Sequence, residues 1–469
     1  MAHFSFQPTR KPSLNPFFPS LMIIHSSHSF TSCATASRPI PVLFSLSFEL
    51  SFLLQEMAGG LKDDDTEEFK GLRITSLDDE SDEEEEQKEQ DIVIDEDDEE
   101  EEDEEARNSV VLGFVKKPKK ARSLLRHFFP SKAGGAPAWL DPENLPSGRS
   151  CFCDICDEPL QFVLQVYAPE EKQSAFHRTL FVFMCTSMVC LRRDQHEQWK
   201  CHQDKPSRSV KVFRCQLPRD NPFYSSEPPK KDSIDPPLKA GAALCNWCGS
   251  WKGIKRCTGC RRALYCSEKH WVKHSRTGHE HDCQRLRISS QLADSSSDET
   301  TPAVLLKGTA NNVWPEYKII QESESSYETD MPDDTVCTNS LVSSNRTDDA
   351  LMSIAENFEG DDDRKSWASF HERIALAPEQ VLRYCRIPGA KPLWPVSSGR
   401  PSKADIPKCS YCAGPLCFEF QIMPQLLFYF NVKNDVDSLD WATIAVYTCE
   451  ASCDASVAYK EEFAWVQLS

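Results

Sequence analysis

Apolar runs rich in β-branched and aromatic residues occur twice in the chain, each between two pairs of cysteines. These runs, 180–184 and 444–448, both end directly at a cysteine. Upstream of each run stands the pattern C-x2-C-x2-P-L-x-F-x2-Q, which begins at Cys153 and again at Cys409. Because such residues favour strands, we predict two related halves whose strands carry cysteine pairs at one end.

The two halves, 108–225 and 365–469, are each too short to bury a sufficient core alone. We therefore predict a mainly β fold of the α+β class, in which the two halves pack against each other. A tryptophan precedes each copy of the pattern at a similar distance, Trp139 in the first half and Trp394 in the second. This further similarity favours an internal duplication.

The cysteine pairs have the spacing of zinc knuckles, since two intervening residues let both sulfurs of a turn reach one ion. We predict one zinc-ribbon-like site in each half, the first formed by Cys153, Cys156, Cys185 and Cys190 and the second by Cys409, Cys412, Cys449 and Cys453. The second pair of each site is spaced more loosely. In the first half, His196, Cys201 and His202 therefore remain alternative ligands.

The region between the halves contains a dense set of further ligands, eight cysteines and histidines within about forty residues. They are Cys245, Cys248, Cys257, Cys260, Cys266, His270, His279 and Cys283. The last four form two pairs with an offset of four, which places both donors on one side of a helical turn. We predict a finger over 243–285 that is separable from the two halves and folds around two Zn²⁺ ions, each supplying on the order of 10 kcal/mol of folding free energy. We interpret the nearby His274 and His281 as exposed helix residues.

Two long segments lack the apolar residues needed for a core. Residues 62–107 contain twenty-six acidic and five basic residues, which accounts for essentially the whole net charge of −20. We predict disorder for 1–107 and for the Ser- and Asp-rich linker 286–364. Residues 1–56 are Ser-rich and almost free of acidic residues, so they are interpreted either as a targeting signal or as an extension before Met57.

The 21 cysteines bear on the compartment. Many of them stand in C-x2-C pairs alongside 12 histidines, which indicates metal binding in a reducing environment rather than disulfides. The apolar stretches are too short and interrupted to span a membrane. We expect the protein in the cytoplasm and nucleus, without a membrane partner.

The segment Tyr265–His270 resembles the Y-C-S-x-x-C step of MYND fingers, with histidine in place of the final cysteine. The resemblance implies an interleaved pairing of ligands. By it, one zinc would be held by Cys245, Cys248, Cys266 and His270, and the other by Cys257, Cys260, His279 and Cys283.

A wider resemblance covers most of the part that is expected to fold. The segments 111–114, 129–140 and 212–219, with 380–384 and 462–465 near the C-terminus, resemble the programmed cell death protein 2 family, in its form with an inserted MYND finger. This resemblance implies a chaperone that binds one small-subunit (40S) ribosomal protein during ribosome biogenesis. Such a client is strongly basic and binds polyanions non-specifically until it is assembled.

Three other classes of function have recognisable sequence features. No phosphate-binding glycine loop, metalloprotease motif or nucleophile elbow is present, so we expect no enzyme. Direct nucleic-acid binding is disfavoured, although the finger is basic, because the rest of the chain is near-neutral or acidic. The alternative that remains is a transcriptional co-regulator or cell-proliferation-linked adaptor whose finger binds proline-rich peptides, with Trp247 or Trp251 lining the groove.

Overall fold

The computed structural model describes residues 110–200, 207–229, 243–293, 314–328, 361–433, 435 and 437–468. All of them belong to one compact unit of the chain. The predicted disorder of 1–107 lies outside the described residues. The mainly β class predicted from the sequence is confirmed by the strands that dominate this unit.

Ten strands form a closed barrel, and two short strands form a separate hairpin. In the described residues the strands are β1 Val111–Lys116, β2 Lys132–Ala133, β3 Gln161–Tyr167, β4 His177–Met184, β5 Val210–Leu217, β6 Lys255–Arg256, β7 Leu264–Tyr265, β8 Tyr317–Ser323, β9 Leu382–Tyr384, β10 Leu416–Ile422, β11 Thr443–Cys449 and β12 Tyr459–Gln467. The barrel order is β1-β8-β2-β3-β4-β5-β12-β11-β10-β9, and β9 pairs back with β1.

The two halves are joined at two places within this barrel. Strands β1–β5 come from the first half and β9–β12 from the second, while β8 comes from the segment between them. At one junction β5 pairs with β12, and Cys215 is opposite Tyr459. At the other, β8 lies between β1 and β2, and β1 pairs with both β8 and β9. The two halves therefore contact each other through one continuous sheet, which leaves neither with a free edge there.

Strand β8 lies inside the segment 286–364, so the prediction of an unstructured linker is wrong for residues 317–323. Polar residues flank this strand on both sides, and it contains only two β-branched residues in succession, Ile319 and Ile320, so its sequence pattern is weak. Ile319 is buried in the barrel core. Just before the strand, Trp314 stacks on Phe430 with ring centroids 4.9 Å apart. Burial of these side chains gives this short segment its fixed place.

Helices are short and lie between the strands or in the finger. The described α-helices are α1 Met188–Trp199, α2 Glu268–His274, α3 Glu280–Ala293, α4 Ser325–Glu328, α5 Asp361–Ala375 and α6 Gln425–Tyr429, with a π-helical turn at Ser275–His279 and 3-10 turns at Ala121–Leu124, Arg126–Phe128, Gly148–Cys151 and Gln173–Ala175. None of the described helices has the length and apolar character required to cross a bilayer.

The barrel interior is apolar over most of its length. Alternate residues of β4, such as Leu180 and Val182, join a core cluster to which β10, β11 and β12 also contribute. The residues between them, such as Phe181 and Phe183, belong to a second cluster that includes residues of the finger. The period of two places successive side chains on opposite faces of the sheet.

Buried ion pairs occupy the interior positions that continue this apolar face. Arg178 on β4 is fully buried, and its Nη2 donates to Glu419 Oε2 on β10 at 2.7 Å. Arg214 on β5 is paired in the same way with Glu462 on β12. Each pair joins the two halves. Arg178 also contacts Glu170, and Glu419 also contacts Arg386, so removal of one member would weaken a buried network of charges.

Candidate metal centres

The structure brings the sixteen predicted ligands together in four groups of four. In each group the potential ligand atoms all lie within 4.8 Å of one another. The groups are Cys153, Cys156, Cys185 and Cys190; Cys409, Cys412, Cys449 and Cys453; Cys245, Cys248, Cys266 and His270; and Cys257, Cys260, His279 and Cys283. We call the first two the barrel sites and the last two the finger sites.

All four C-x2-C pairs share one local backbone structure. The residue directly after the second cysteine has a positive φ in each case, at Asp157, Gly249, Arg261 and Ala413. The amide of that residue donates to the carbonyl of the first cysteine at 2.8 to 3.1 Å. This left-handed residue closes the turn and leaves both sulfurs on one side, although only Gly249 is free of steric cost there.

A further backbone bond distinguishes the barrel knuckles from the finger knuckles. At Cys153 and Cys409 the amide of the first cysteine donates to a carbonyl five residues ahead, that of Glu158 or Gly414. At Cys245 and Cys257 the acceptor carbonyl lies six residues ahead. The repeated sequence pattern of the two barrel knuckles therefore coincides with a repeated local structure.

The distances inside the groups fit tetrahedral coordination. Sulfur-to-sulfur distances are 3.6 Å for Cys156–Cys185, 3.6 Å for Cys412–Cys449 and 3.7 Å for Cys257–Cys283. A tetrahedral ion with Zn–S bonds of about 2.3 Å places its sulfurs roughly 3.8 Å apart. A disulfide would require about 2.05 Å, and the cysteines of the described chain are free thiols.

The thiols of the first barrel group differ in pKa because they are buried against one another. The hydrogen bond from Cys185 lowers the pKa of Cys153 to about 5. That same hydrogen bond and burial raise the pKa of Cys185, and burial raises the pKa of Cys190 to about 11. One thiolate forms at the expense of its neighbours. A divalent ion removes this competition, since it stabilises all four thiolates together.

The first barrel site is formed by the knuckle before β3 and by the end of β4 with the first turn of α1. Cys190 on α1 completes the group, so the C-x4-C spacing is met by a helical turn. His196 lies further along the same helix and does not join the group. The other alternative ligands, Cys201 and His202, lie outside the described residues.

Side chains from both halves support the second barrel site. Arg214 Nη1 donates to the carbonyl of Cys453 at 3.3 Å, and Gln216 Nε2 donates to that of Ser452 at 3.2 Å. Arg386 Nη2 donates to the carbonyl of Cys449 at 2.9 Å. Polar side chains of the barrel therefore hold the backbone that carries Cys449 and Cys453. The spacing of cysteines in the sequence gives no sign of this support.

The finger sites have the interleaved arrangement. His270 Nδ1 on α2 is 3.2 Å from the sulfur of Cys266, and His279 Nε2 is 3.2 Å from that of Cys257. The side chain of Ser267 caps α2 by accepting from the amide of His270. A Cβ at Gly259 would lie 2.7 Å from the Cys283 sulfur, so only glycine fits beside that ligand.

The finger is docked on the barrel. Trp251 is buried, and its Nε1 donates to the carbonyl of Leu160 at 2.8 Å. In return, Trp139 Nε1 donates to the carbonyl of Ser250 at 2.7 Å. Lys269 on α2 pairs with Glu158 beside the first barrel site at 2.8 Å.

These contacts correct two expectations. Trp251 cannot line an open groove, because its ring lies 4.2 Å from that of Phe183 inside the second core cluster. The finger is also not separable from the barrel without exposing that cluster. Trp247 is half-buried, 5.8 Å from the ring of His274. The aromatic residue that does line a cavity is Trp271, in a space of about 310 Å³ beside the second finger site.

Two parts of the chain match models of a known protein family. The family model "Programmed cell death protein 2, N-terminal domain" matches residues 109–231, and the C-terminal domain of the same family matches residues 364–468. Neither is named for a catalytic activity. No solved structure matches the chain.

Similar proteins align over most of the chain. "Programmed cell death protein 2" of Bos taurus is 37% identical over 76% of this chain and 95% of its own length. The protein of that name from Mus musculus is 36% identical over 77% of this chain and 97% of its own length. "Probable 20S rRNA accumulation protein 4" of Schizosaccharomyces pombe is 33% identical over 20% of this chain and 24% of its own length. On these matches, the chain belongs to the programmed cell death protein 2 family.

Proposed function

We propose that this protein is a zinc-stabilised binding protein that acts in ribosome biogenesis, as the chaperone of one small-subunit ribosomal protein. Zinc fits the four groups because each combines thiolates, with or without one histidine, in tetrahedral geometry. Each group already offers four donors, which leaves no open position for a substrate. The metal therefore supports the fold, and activity consists of binding a partner.

One observation carries the ribosomal part of the proposal. Part of the chain is similar to a protein that is named for the accumulation of 20S rRNA. A ribosomal protein is basic and exposes RNA-binding surface before assembly, so a binding partner protects it from other polyanions and from aggregation. The barrel is the proposed client-binding part, because both matched family domains lie in it. Cytoplasm and nucleus are the corresponding compartments.

Affinity purification of the full chain from cytosolic extract tests this function. We expect one basic 40S ribosomal protein to dominate the captured proteins. Cys409→Ala should abolish capture, because loss of a barrel zinc destabilises the half that it holds. Cys417→Ala is the matched control, since that thiol lies on β10 outside every ligand group. Capture that excludes ribosomal proteins, or that is equal for both variants, contradicts the proposal.

A second candidate function is supported by the cavity on the finger. It lies beside Trp271 and is also lined by Thr258, Gly259 and Gln284. A cavity lined by an aromatic ring and a glycine suits an extended proline-rich peptide, as expected for a co-regulator with a MYND finger. If Trp271→Ala removes the captured partners and Cys409→Ala retains them, the co-regulator function replaces the chaperone function.

A further inference from the structure

The exposed side of the finger has a strong positive charge. Residues 243–287 contain ten basic and three acidic residues, a formal charge of +7 before any metal is counted. With two zinc ions and six thiolates the charge is about +5. Two of the acidic residues are already paired, Glu268 with Lys255 and Asp282 with Arg285.

Five cations of this surface are exposed and have no acidic partner among the described residues. We call them the basic face: Lys252, Arg256, Arg261, Arg262 and Arg276. By contrast, Lys269 and Lys273 on α2 are engaged with Glu158 of the barrel. The finger therefore uses some of its cations for docking and leaves the basic face to solvent.

Three arginines of the basic face are close in sequence to ligands of one group, the second finger site. Arg256 directly precedes Cys257, Arg261 directly follows Cys260, and Arg276 lies three residues before His279. Those ligand atoms lie within 4.8 Å of one another. Charges attached to adjacent residues are held close together, which increases their joint attraction for a polyanion.

We infer that the basic face binds the chain's own acidic tract, residues 62–107, and that the tract is its principal occupant. The two charges are complementary, because twenty-six acidic residues face only five basic ones within the tract. The tract is tethered close to β1, which begins at Val111. This inference goes beyond the proposed function and does not depend on which client is bound.

Length and tethering favour the intramolecular contact. An unstructured chain of the tract's length would have a root-mean-square span of roughly 40 Å, while a domain of this size has a radius of gyration of about 19 Å. The tract is therefore long enough to reach the finger from its point of attachment. Tethering gives an effective concentration on the order of millimolar, which an acidic partner in solution rarely matches.

Carbodiimide cross-linking of the full chain, followed by mass spectrometry of the monomer, tests this contact directly. The reagent joins a carboxylate to an amine in contact with it, so we expect tract cross-links at Lys252. The test variant reverses three charges of the basic face, Arg256→Glu, Arg262→Glu and Arg276→Glu. The control reverses three exposed charges elsewhere, Arg364→Glu, Lys365→Glu and Lys403→Glu.

The expected result is a loss of about tenfold in tract cross-links at Lys252 for the test variant and for the wild type at 0.5 M salt. The control variant should retain them. Zinc content verifies that both variants keep their sites. Cross-links that persist in the test variant, or that are spread evenly over barrel lysines, would overturn the inference. So would binding of a labelled single-stranded RNA by the full chain that depends on the same three arginines.

Discussion

Replacement of Trp251 by alanine tests whether the finger and the barrel share one core. The side chain is 1% exposed, with rings of Phe183 and Trp139 at 4.2 and 5.8 Å. Truncation of a buried tryptophan costs about 3 to 5 kcal/mol, and about 1 kcal/mol of that corresponds to the hydrogen bond to Leu160. We expect the thermal midpoint of the barrel to fall by roughly 10 °C.

The measurement is circular dichroism of the β-sheet signal during heating, with zinc content checked first. Trp247→Ala is the matched control, because that ring is in the same knuckle but only half-buried, and it should lower the midpoint much less. Trp251→Phe should fall between the two, since it keeps most of the apolar contact and loses the hydrogen bond. If Trp251→Ala leaves the barrel midpoint equal to that of the control, the shared core does not exist.

Three other predictions address the metal sites and the barrel interior. Elemental analysis of the purified chain should give about four zinc ions, one per ligand group. A value near two would contradict zinc binding at the barrel sites. Cys266→Ala and Cys283→Ala should each lower the zinc content by one ion, and the double variant should lower it by two. If both cysteines belonged to one site, the double variant would lose no more zinc than either single variant. Glu419→Gln should lower the free energy of unfolding, measured with denaturant, by about 3 kcal/mol, because Arg178 then keeps only its contact with Glu170. Burial alone would raise the pKa of Glu419, but Arg178 and Arg386 hold it below its usual value. Because the folded pKa is lowered, the ionised Glu419 stabilises the fold fully above about pH 4.3, the unfolded value, and this stabilisation is lost as the pH falls through the folded pKa. Only the wild type should lose this contribution on acidification.

The ligand groups were predictable because their signal is local. Two intervening residues set the reach of a knuckle, and an offset of four sets the reach of a helical turn. Each ligand pair could therefore be read from a few adjacent residues, such as Cys153 with Cys156. Which pairs join to form a site depended on the repeat in the barrel and on the resemblance in the finger.

The barrel could not be predicted in the same way, because its closure depends on residues far apart in the sequence. Nothing near Arg178 indicates its partner Glu419, and nothing near Trp251 indicates that it is covered by Phe183. Strand β8 was missed for a different reason. Its apolar residues are few, and only the barrel core around Ile319 shows that they are enough.

The pairing of β1 has a consequence for how the chain folds during synthesis. Its partners are β8 and β9, and Val111 and Ser323 are more than two hundred residues apart. This strand therefore leaves the ribosome long before either partner, and its edges stay without these partners until the finger and β8 have been made. Contacts at such separation form slowly and expose a nascent chain to aggregation. A protein proposed to protect others would itself need protection while it is being synthesised.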